Sequence, residues 1–153
     1  MTEETPWYED IAFPVLLRGA RRTFSSAIGV AYIEAGFDDI PRNGSYVLGA
    51  IANYGTPLHE IIKELGTSKQ AAGQLVDTLV SRGYLERTED PEDRRRLTVT
   101  LTERGRFAAS TLKGAIEDVE SHLAEHVNAD HVMHARETLA ALIHLGHDHD
   151  EEP

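Results

Sequence analysis

The chain has 153 residues, a formal net charge of −11 at pH 7, 41% hydrophobic and 27% charged residues, which fits a globular protein with one hydrophobic core. The absence of cysteine excludes disulfide bonds, thiolate metal sites and thiol-based redox sensing by this chain. The acidic N-terminus is unlike a signal peptide, and no apolar run reaches the roughly 20 residues of a membrane span, so we expect a cytoplasmic protein without membrane contact.

The acidic charge is concentrated at the two ends of the chain. Residues 42–106 contain ten Lys and Arg residues and nine Asp and Glu residues, so this segment is near +1 and the remainder near −12. Salt screens charges separated by more than about 10 Å at about 0.1 M. A basic patch in the middle segment can therefore act on a nearby polyanion, although we expect only modest sequence-independent affinity for nucleic acid.

The first predicted element is a long helix. Its apolar residues recur at helical spacing, and they are Phe13, Leu16, Leu17, Ala20, Phe24, Ala27, Ile28 and Ala31. Pro14 is compatible with a position near the helix start. At about 1.5 Å per residue the helix exceeds about 30 Å, which favours a dimerisation helix over about residues 8–36; a core helix within one chain is the alternative.

The following elements predict a helix-turn-helix. After a break at residues 36–41, a helix is predicted over residues 42–53, and a short helix with Thr56 as its cap, Pro57 at its first position and Gly66 at its end. A third helix is predicted to begin with a capping box between Thr67 and Gln70. Apolar residues supply the core faces, namely Val47, Leu48, Ile51, Leu58, Ile61, Ile62, Leu65, Ala72, Leu75, Val76, Leu79 and Val80.

A basic hairpin follows this third helix. Residues 84–88 predict a short strand, and Leu97, Val99 and Leu101 alternate with threonines as its antiparallel return. The connection over residues 89–96 combines a turn signal with three arginines: Asp90-Pro91-Glu92-Asp93-Arg94-Arg95-Arg96. A helix-turn-helix followed by a basic hairpin is the order of a winged helix, in which the helix and the hairpin tip both reach DNA.

Two further helices are predicted at the C-terminal end. The first begins at Thr102 and its apolar stripe comprises Leu112, Ile116, Val119, Leu123 and Val127. Residues 128–130 form a boundary, and the inward residues of the last helix are Val132, Ala135, Leu139, Leu142 and Ile143. Residues 146–153 are predicted to be a disordered tail.

In their order and spacing these motifs resemble the MarR family of bacterial transcription regulators. The strongest stretches are Leu65-Gly66-Thr67-Ser68-Lys69-Gln70-Ala71, Leu75-Val76-Asp77-Thr78-Leu79, Arg82-Gly83-Tyr84-Leu85-Glu86-Arg87, Asp90-Pro91-Glu92-Asp93-Arg94-Arg95 and Leu101-Thr102-Glu103-Arg104-Gly105. The resemblance implies a single, mainly α domain over residues 1–153, with a winged helix-turn-helix over about residues 42–101 and a small β-hairpin wing. It also implies a homodimer formed through helices at about residues 8–36 and 102–145.

The resemblance further implies a mode of action. The two lobes of the dimer would bind successive half-sites of a pseudo-palindromic operator in double-stranded DNA, more often as a repressor than as an activator. In many members a small ligand, commonly an aromatic acid or a phenol, weakens this binding. The chain departs from relatives at Gly73, often a larger polar residue, and over residues 41–45, which border the ligand pocket in relatives.

Polar residues on the outward face of the third helix are the candidate DNA contacts. By steps of about 100° this face carries Lys69, Gln70, Gly73, Gln74 and Asp77. Glutamine pairs bidentately with adenine, while Ser68 and Lys69 suit phosphate or guanine. The alternative is a solvated helix face.

The wing supplies a second set of candidate DNA contacts. Arg94, Arg95 and Arg96 alternate in direction along the hairpin, and Arg95 is predicted to enter the minor groove. Asp90 and Asp93 are predicted to shape the wing, Asp93 by pairing with an arginine as the resemblance implies. The alternative is an ordinary charged hairpin in which the acids neutralise the arginines.

Two other groups of residues suggest ligand sites. Phe24, Tyr32 and Tyr46 are candidates for a pocket that takes an aromatic ligand. Seven of the eight histidines follow residue 121, and His122 and His126 are four apart on one helix face. Two ligands do not complete a zinc site, so no metal or other cofactor is predicted, and a zinc-responsive regulator of the same fold remains an alternative.

No sequence motif indicates an enzyme, because the chain lacks G-x-G-x-x-G, a P-loop, H-E-x-x-H and G-x-S-x-G. A winged-helix module that binds a protein rather than DNA is the other alternative, and the net charge of −11 favours it. The three wing arginines and the polar helix face favour DNA. We therefore predict a homodimeric DNA-binding transcription regulator.

Overall fold

The computed structural model describes residues 5–55, 57–90, 92–93 and 97–150. In this part of the chain there are six helices and two strands: α1 Phe13–Glu34, α2 Gly44–Tyr54, α3 Leu58–Glu64, α4 Lys69–Ser81, β1 Leu85–Glu89, β2 Leu97–Leu101, α5 Glu103–His126 and α6 Ala129–Asp150. The mainly α architecture with a small hairpin is confirmed. The residues form two compact units, residues 1–116 and residues 117–153, so that α5 contributes to both.

The loop between α1 and α2 determines where α2 begins. Asn43 adopts a left-handed conformation with a φ of 65°, and α2 begins at Gly44, two residues later than predicted. A Cβ atom on Gly44 would lie 3.0 Å from Ile40 Cγ2 and 3.1 Å from Pro41 Cδ. The loop therefore turns back tightly on the first turn of α2, and a larger residue than glycine would push the two apart.

Two predicted helix caps are wrong by one residue. Pro57 is the N-cap of α3, which begins at Leu58, and the predicted cap Thr56 lies outside the described residues. Ser68, rather than Thr67, caps α4, because its extended backbone directs Oγ to accept a hydrogen bond from the Ala71 N–H at 3.2 Å. The first turn of α4 thus begins one residue later than the capping box predicted.

The core of the first unit joins the helix-turn-helix to the hairpin and to α5. Leu48, Ile61, Leu79, Tyr84 and Leu85 have almost no exposed surface. In the antiparallel hairpin, whose first strand starts one residue later than predicted, Leu85 pairs with Leu101 and Glu89 with Leu97. These contacts pack the base of the hairpin against α4.

The N-terminus of α5 packs closely against the start of the hairpin. Thr102 Oγ1 donates to the Gly83 carbonyl at 2.5 Å and accepts from the Gly105 N–H at 3.0 Å, which caps the helix. A Cβ atom on Gly105 would lie 2.0 Å from the Tyr84 carbonyl oxygen. Only glycine therefore allows this approach of α5 to the chain before β1.

The second unit consists of the end of α5 and of α6. Asn128 caps α6 by accepting from the His131 N–H at 2.9 Å, and Arg136 pairs with Glu120 at 2.8 Å. The last helix was predicted to end at about residue 145, but α6 continues to Asp150. A single glycine costs a helix about 1 kcal/mol relative to alanine, so Gly146 does not end it. Of the predicted tail, residues 151–153 lie outside the described residues.

The predicted inward face of α6 is also corrected. Leu139, Leu142 and Ile143 are 40%, 44% and 63% exposed. A helix with an apolar stripe along one side needs a second surface to bury it.

None of the described helices has both the length and the apolar character required to cross a membrane.

Candidate nucleic-acid interface

The N-terminal half of α4 presents its polar side chains to solvent. Lys69, Gln70, Gln74 and Asp77 are exposed, while Ala72, Val76 and Leu79 on the opposite side are buried. Ser68 is also exposed at the start of the helix, where its Oγ is occupied as a hydrogen-bond acceptor by the cap. The structure therefore brings Ser68 and the predicted helix residues together on one surface.

Gly73 lies in the middle of this polar surface. Apart from the adjacent residues and the backbone of α4 itself, no heavy atom lies within 4 Å of the position that a Cβ atom would occupy there. The glycine is therefore not required for packing within the chain. Its effect is to remove one side chain from the outward face, so that a partner can approach the helix backbone.

An ion pair connects the outward face of α4 to the wing. Arg87 on β1 places Nη2 at 2.5 Å from Asp77 Oδ1, with the two side chains 46% and 66% exposed. This pair neutralises the one carboxylate among the five predicted outward residues of α4. Arg87 was absent from the predicted site, because nothing in a single strand indicates which helix it will face.

One hydrogen bond lies in the described part of the wing. Asp90 Oδ1 accepts a hydrogen bond from the Glu92 N–H at 2.9 Å, an interaction within the turn that suits the predicted shaping role. Asp93 is exposed. Arg94, Arg95 and Arg96, and with them the predicted pairing of Asp93 with an arginine, lie outside the described residues.

A cavity of about 890 Å³ opens in the first unit. Phe24, Tyr32 and Tyr46, the three predicted pocket residues, all line it. The other lining residues are Arg21, Ser25, Ile28, Gly29, Ile40, Pro41, Arg42, Asn43, Ser45, Gly49, Ala50, Asn53, Glu64, Leu112 and Ile116. An apolar interior with a few polar and charged groups is typical of sites for small organic molecules.

Two tyrosines in the cavity wall have raised pKa values. Tyr46 donates a hydrogen bond to Glu64, which together with partial burial raises the pKa of Tyr46 to about 12. Burial raises the pKa of Tyr32, and nearby Ser45 offsets part of that shift. Because the Ser45 contact does not reach hydrogen-bond geometry, the Tyr32 hydroxyl is the one buried side-chain polar group of the described residues that lacks a partner.

The histidines do not form a metal centre in the described part of the chain. His122 and His126 each direct ring Nδ1 to the carbonyl oxygen four residues earlier, at 2.7 Å and 2.8 Å. No group of three or more His, Cys, Asp or Glu side chains with the geometry to hold a metal occurs among the described residues. His147 and His149 belong to α6, but their side chains are not described.

Comparison with known proteins identifies a family similar to this chain. The family model of the MarR family matches residues 38–96, which run from the loop before α2 to the wing. Over residues 38–96 the chain is therefore similar to the MarR family. The predicted resemblance is thereby confirmed. A comparison with curated protein sequences gave no match.

Solved MarR-family structures share the fold over most of the chain. A crystal structure of MarR aligns with a TM-score of 0.69 at 22% identity, covering 93% of this chain and 95% of that one. Staphylococcus aureus MepR in complex with DNA aligns with a TM-score of 0.68 at 17% identity, covering 88% and 98%. MepR bound to ethidium bromide aligns with a TM-score of 0.57 at 18% identity, covering 86% and 94%. The chain thus has the fold of MarR-family transcription regulators.

Proposed function

We propose that the protein is a homodimeric DNA-binding repressor whose affinity for DNA is lowered by a small ligand. The observation that carries the proposal is the exposed polar surface at the N-terminal half of α4, with the wing held beside it by Arg87 and Asp77. An exposed row of lysine and glutamine on a helix of this fold suits the major groove. The solved complex of MepR with DNA supports the same use of the fold.

The residues of this surface have distinct roles in the proposal. Gln70 and Gln74 pair with adenine edges, and Lys69 with phosphate or guanine. The Ser68 hydroxyl retains its proton for a phosphate oxygen while its oxygen caps the helix. Arg95 enters the adjacent minor groove, where narrow A·T-rich segments attract arginine.

Exposed apolar surface on two helices supports the homodimer. On α1, Phe13, Val15, Val30 and Ile33 are between 49% and 70% exposed. On α6, Leu142 and Ile143 belong to an exposed apolar stripe. Soluble proteins rarely leave such surfaces uncovered, and a second copy of the chain would bury them.

A matched pair of substitutions on α6 tests the homodimer. Leu142→Glu places a charge on the apolar stripe, whereas Ala141→Glu places the same charge on the opposite, exposed side of the helix. Analytical ultracentrifugation should show a dimer for the Ala141→Glu variant and monomers for the Leu142→Glu variant. A wild-type chain that sediments as a monomer at micromolar concentration would refute the proposed dimer.

The cavity supports control by a ligand. Its volume of about 890 Å³ and its aromatic and aliphatic lining fit a small organic molecule, and Arg21 and Arg42 add positive charge. The structure of MepR with ethidium bromide supports ligand binding by a protein of this fold. We propose an aromatic ligand that contacts Phe24, Tyr32 and Tyr46.

Selection of bound duplexes from a random DNA pool tests the proposed function and does not require the operator sequence. The wild-type chain should enrich a pseudo-palindromic sequence with half-sites about one helical turn apart. Gln74→Ala should relax the preference for adenine at one position of each half-site. Ser81→Ala, at the other end of α4, serves as the matched control and should leave the selected sequence unchanged. Failure of the wild-type chain to enrich any sequence would contradict the proposal and favour a protein partner.

A further inference from the structure

The loop between α1 and α2 touches both the cavity and the C-terminal end of α4. Ile40 and Pro41 line the cavity. Asp39, the residue before them, is instead hydrogen-bonded to Arg82 and Tyr84, which follow the last turn of α4. One short segment is therefore shared between the two sites.

Asp39 is held by three residues, two that follow α4 and one in the first turn of α5. The Arg82 guanidinium donates to the Asp39 carbonyl oxygen, and the Tyr84 hydroxyl donates to the Asp39 carboxylate. Arg104 Nη2 donates to Asp39 Oδ1 at 3.0 Å and to the Tyr84 hydroxyl at 2.9 Å. Arg82 is the C-cap residue of α4, so the loop is bonded directly to the end of the recognition helix.

Three aromatic rings in edge-on and tilted contact accompany these hydrogen bonds. Tyr32, in the cavity wall, packs edge-on against Phe37 with ring centroids 6.0 Å apart, and Phe37 lies 6.0 Å from Tyr84. The Arg104 guanidinium lies over the Tyr84 ring at 4.6 Å and over the Phe37 ring at 5.4 Å. All three rings are buried, so a displacement of Tyr32 would be resisted by the rings beside it.

Near neutral pH the Asp39 carboxyl is ionised and the Tyr84 hydroxyl is protonated. The hydrogen bond from Tyr84, and then the Arg104 guanidinium, hold the pKa of the Asp39 carboxyl below its usual value. Burial and the bond to Asp39 raise the pKa of Tyr84 to about 12. Asp39 and Tyr84 therefore keep their ionisation states across the physiological pH range.

We propose that Asp39, Arg82, Tyr84 and Arg104 form a relay that couples occupation of the cavity to the C-terminal end of α4. The relay rests on the proposed function, in which the cavity takes a ligand and α4 binds DNA. A molecule that displaces Ile40, Pro41 or Tyr32 moves Asp39, and Asp39 moves the C-cap of α4. Such coupling is reciprocal, so DNA bound to α4 changes the affinity of the cavity by the same factor.

A covalent probe allows the cavity to be filled although its ligand is unidentified. The chain has no cysteine, so one introduced thiol is unique. Ser25 lines the cavity and is exposed on α1, whereas His59 on α3 is exposed and does not line the cavity. Ser25→Cys modified with N-phenylmaleimide places a phenyl ring at the cavity, and modified His59→Cys is the control.

Hydrogen–deuterium exchange of the DNA-free protein then measures the coupling. Modification of Ser25→Cys should alter amide exchange in residues 38–43 and also in residues 79–84, while modification of His59→Cys should alter neither. Added separately, Arg82→Gln and Tyr84→Phe should remove most of the response in residues 79–84 and keep that in residues 38–43. Tyr84→Phe retains the buried ring, and the Arg82 side chain lies at the surface, so both variants should fold.

Three results would overturn the relay. One is a response confined to residues 38–43 in the modified Ser25→Cys protein. Another is a response in residues 79–84 that survives both Arg82→Gln and Tyr84→Phe. The third is no response in either segment after complete modification. Because no DNA is present, failure of DNA binding would leave this measurement unaffected, and the two proposals are tested separately.

Discussion

Arg87 on the first strand of the wing lies 2.5 Å from the Asp77 carboxylate on the recognition helix, as measured between Nη2 and Oδ1. Both side chains are about half exposed, and an ion pair of this kind contributes at most about 1 kcal/mol to folding. Its larger effect concerns the surface itself. The pair removes a negative charge from the face that would meet DNA phosphates and fixes the wing relative to α4.

Removing the charge of Arg87 alone should weaken DNA binding, and removing the charges of both Arg87 and Asp77 should restore it. Arg87→Gln leaves Asp77 unpaired beside the phosphates, so affinity should fall by about tenfold, equivalent to about 1.4 kcal/mol. The Asp77→Asn, Arg87→Gln double variant should recover most of the loss. Fluorescence anisotropy with a selected duplex measures both. A double variant as weak as Arg87→Gln alone would show that Arg87 contacts DNA directly.

Removal of the predicted minor-groove arginine should weaken DNA binding without unfolding the protein. Arg95→Ala should lower affinity by at least about tenfold, because an inserted arginine contributes about 1–3 kcal/mol. Thermal denaturation by circular dichroism should show an unchanged midpoint. A dissociation constant equal to that of the wild-type chain would remove Arg95 from the interface.

Two glycines of α5 should respond in opposite directions to the same substitution. Gly105→Ala would force a Cβ atom to within 2.0 Å of the Tyr84 carbonyl oxygen, so stability should fall by about 1–3 kcal/mol or more. At Gly114 nothing lies within 4 Å of that position, and alanine should stabilise the helix by about 0.5–1 kcal/mol. Urea denaturation measures both. Equal effects at the two positions would contradict the close packing of α5 against the hairpin.

The relay also predicts how stability depends on alkaline pH. The pKa of Tyr84 is raised from 10.0 to about 12 in the folded chain. Between pH 10 and about pH 12 the folded chain therefore keeps the Tyr84 proton that the unfolded chain loses. The stabilisation that Tyr84 contributes to folding is complete below pH 10 and is lost as pH rises to about 12. The Tyr84→Phe variant should lose less stability over that interval in urea denaturation. The same pH dependence in both proteins would exclude Tyr84 as its source.

Local sequence patterns predicted most of the fold and the outward face of the recognition helix. The periodicity of Ala72, Val76 and Leu79 determines which side of α4 is buried, and therefore that Gln70 and Gln74 face outward. The cap was wrong by one residue because Thr67 and Ser68 are both good capping residues. The choice between them depends on backbone angles, which residue type alone does not determine.

Local sequence patterns did not predict contacts between residues that are far apart in the chain. Asp39 bonds to residues 43, 45 and 65 positions later in the chain, and no periodicity connects these positions. The exposure of Leu139, Leu142 and Ile143 was missed for a different reason. An apolar stripe predicts that a surface is buried, but it does not distinguish burial within one chain from burial against another copy.

The most direct test of the central claim is fluorescence anisotropy of the wild-type chain with the duplex enriched from the random pool and with a scrambled duplex, at two salt concentrations. Specific binding by α4 and the wing predicts tight binding to the enriched duplex alone, retained at the higher salt concentration. Weak and equal binding to both duplexes that disappears with added salt would contradict specific DNA binding through this surface.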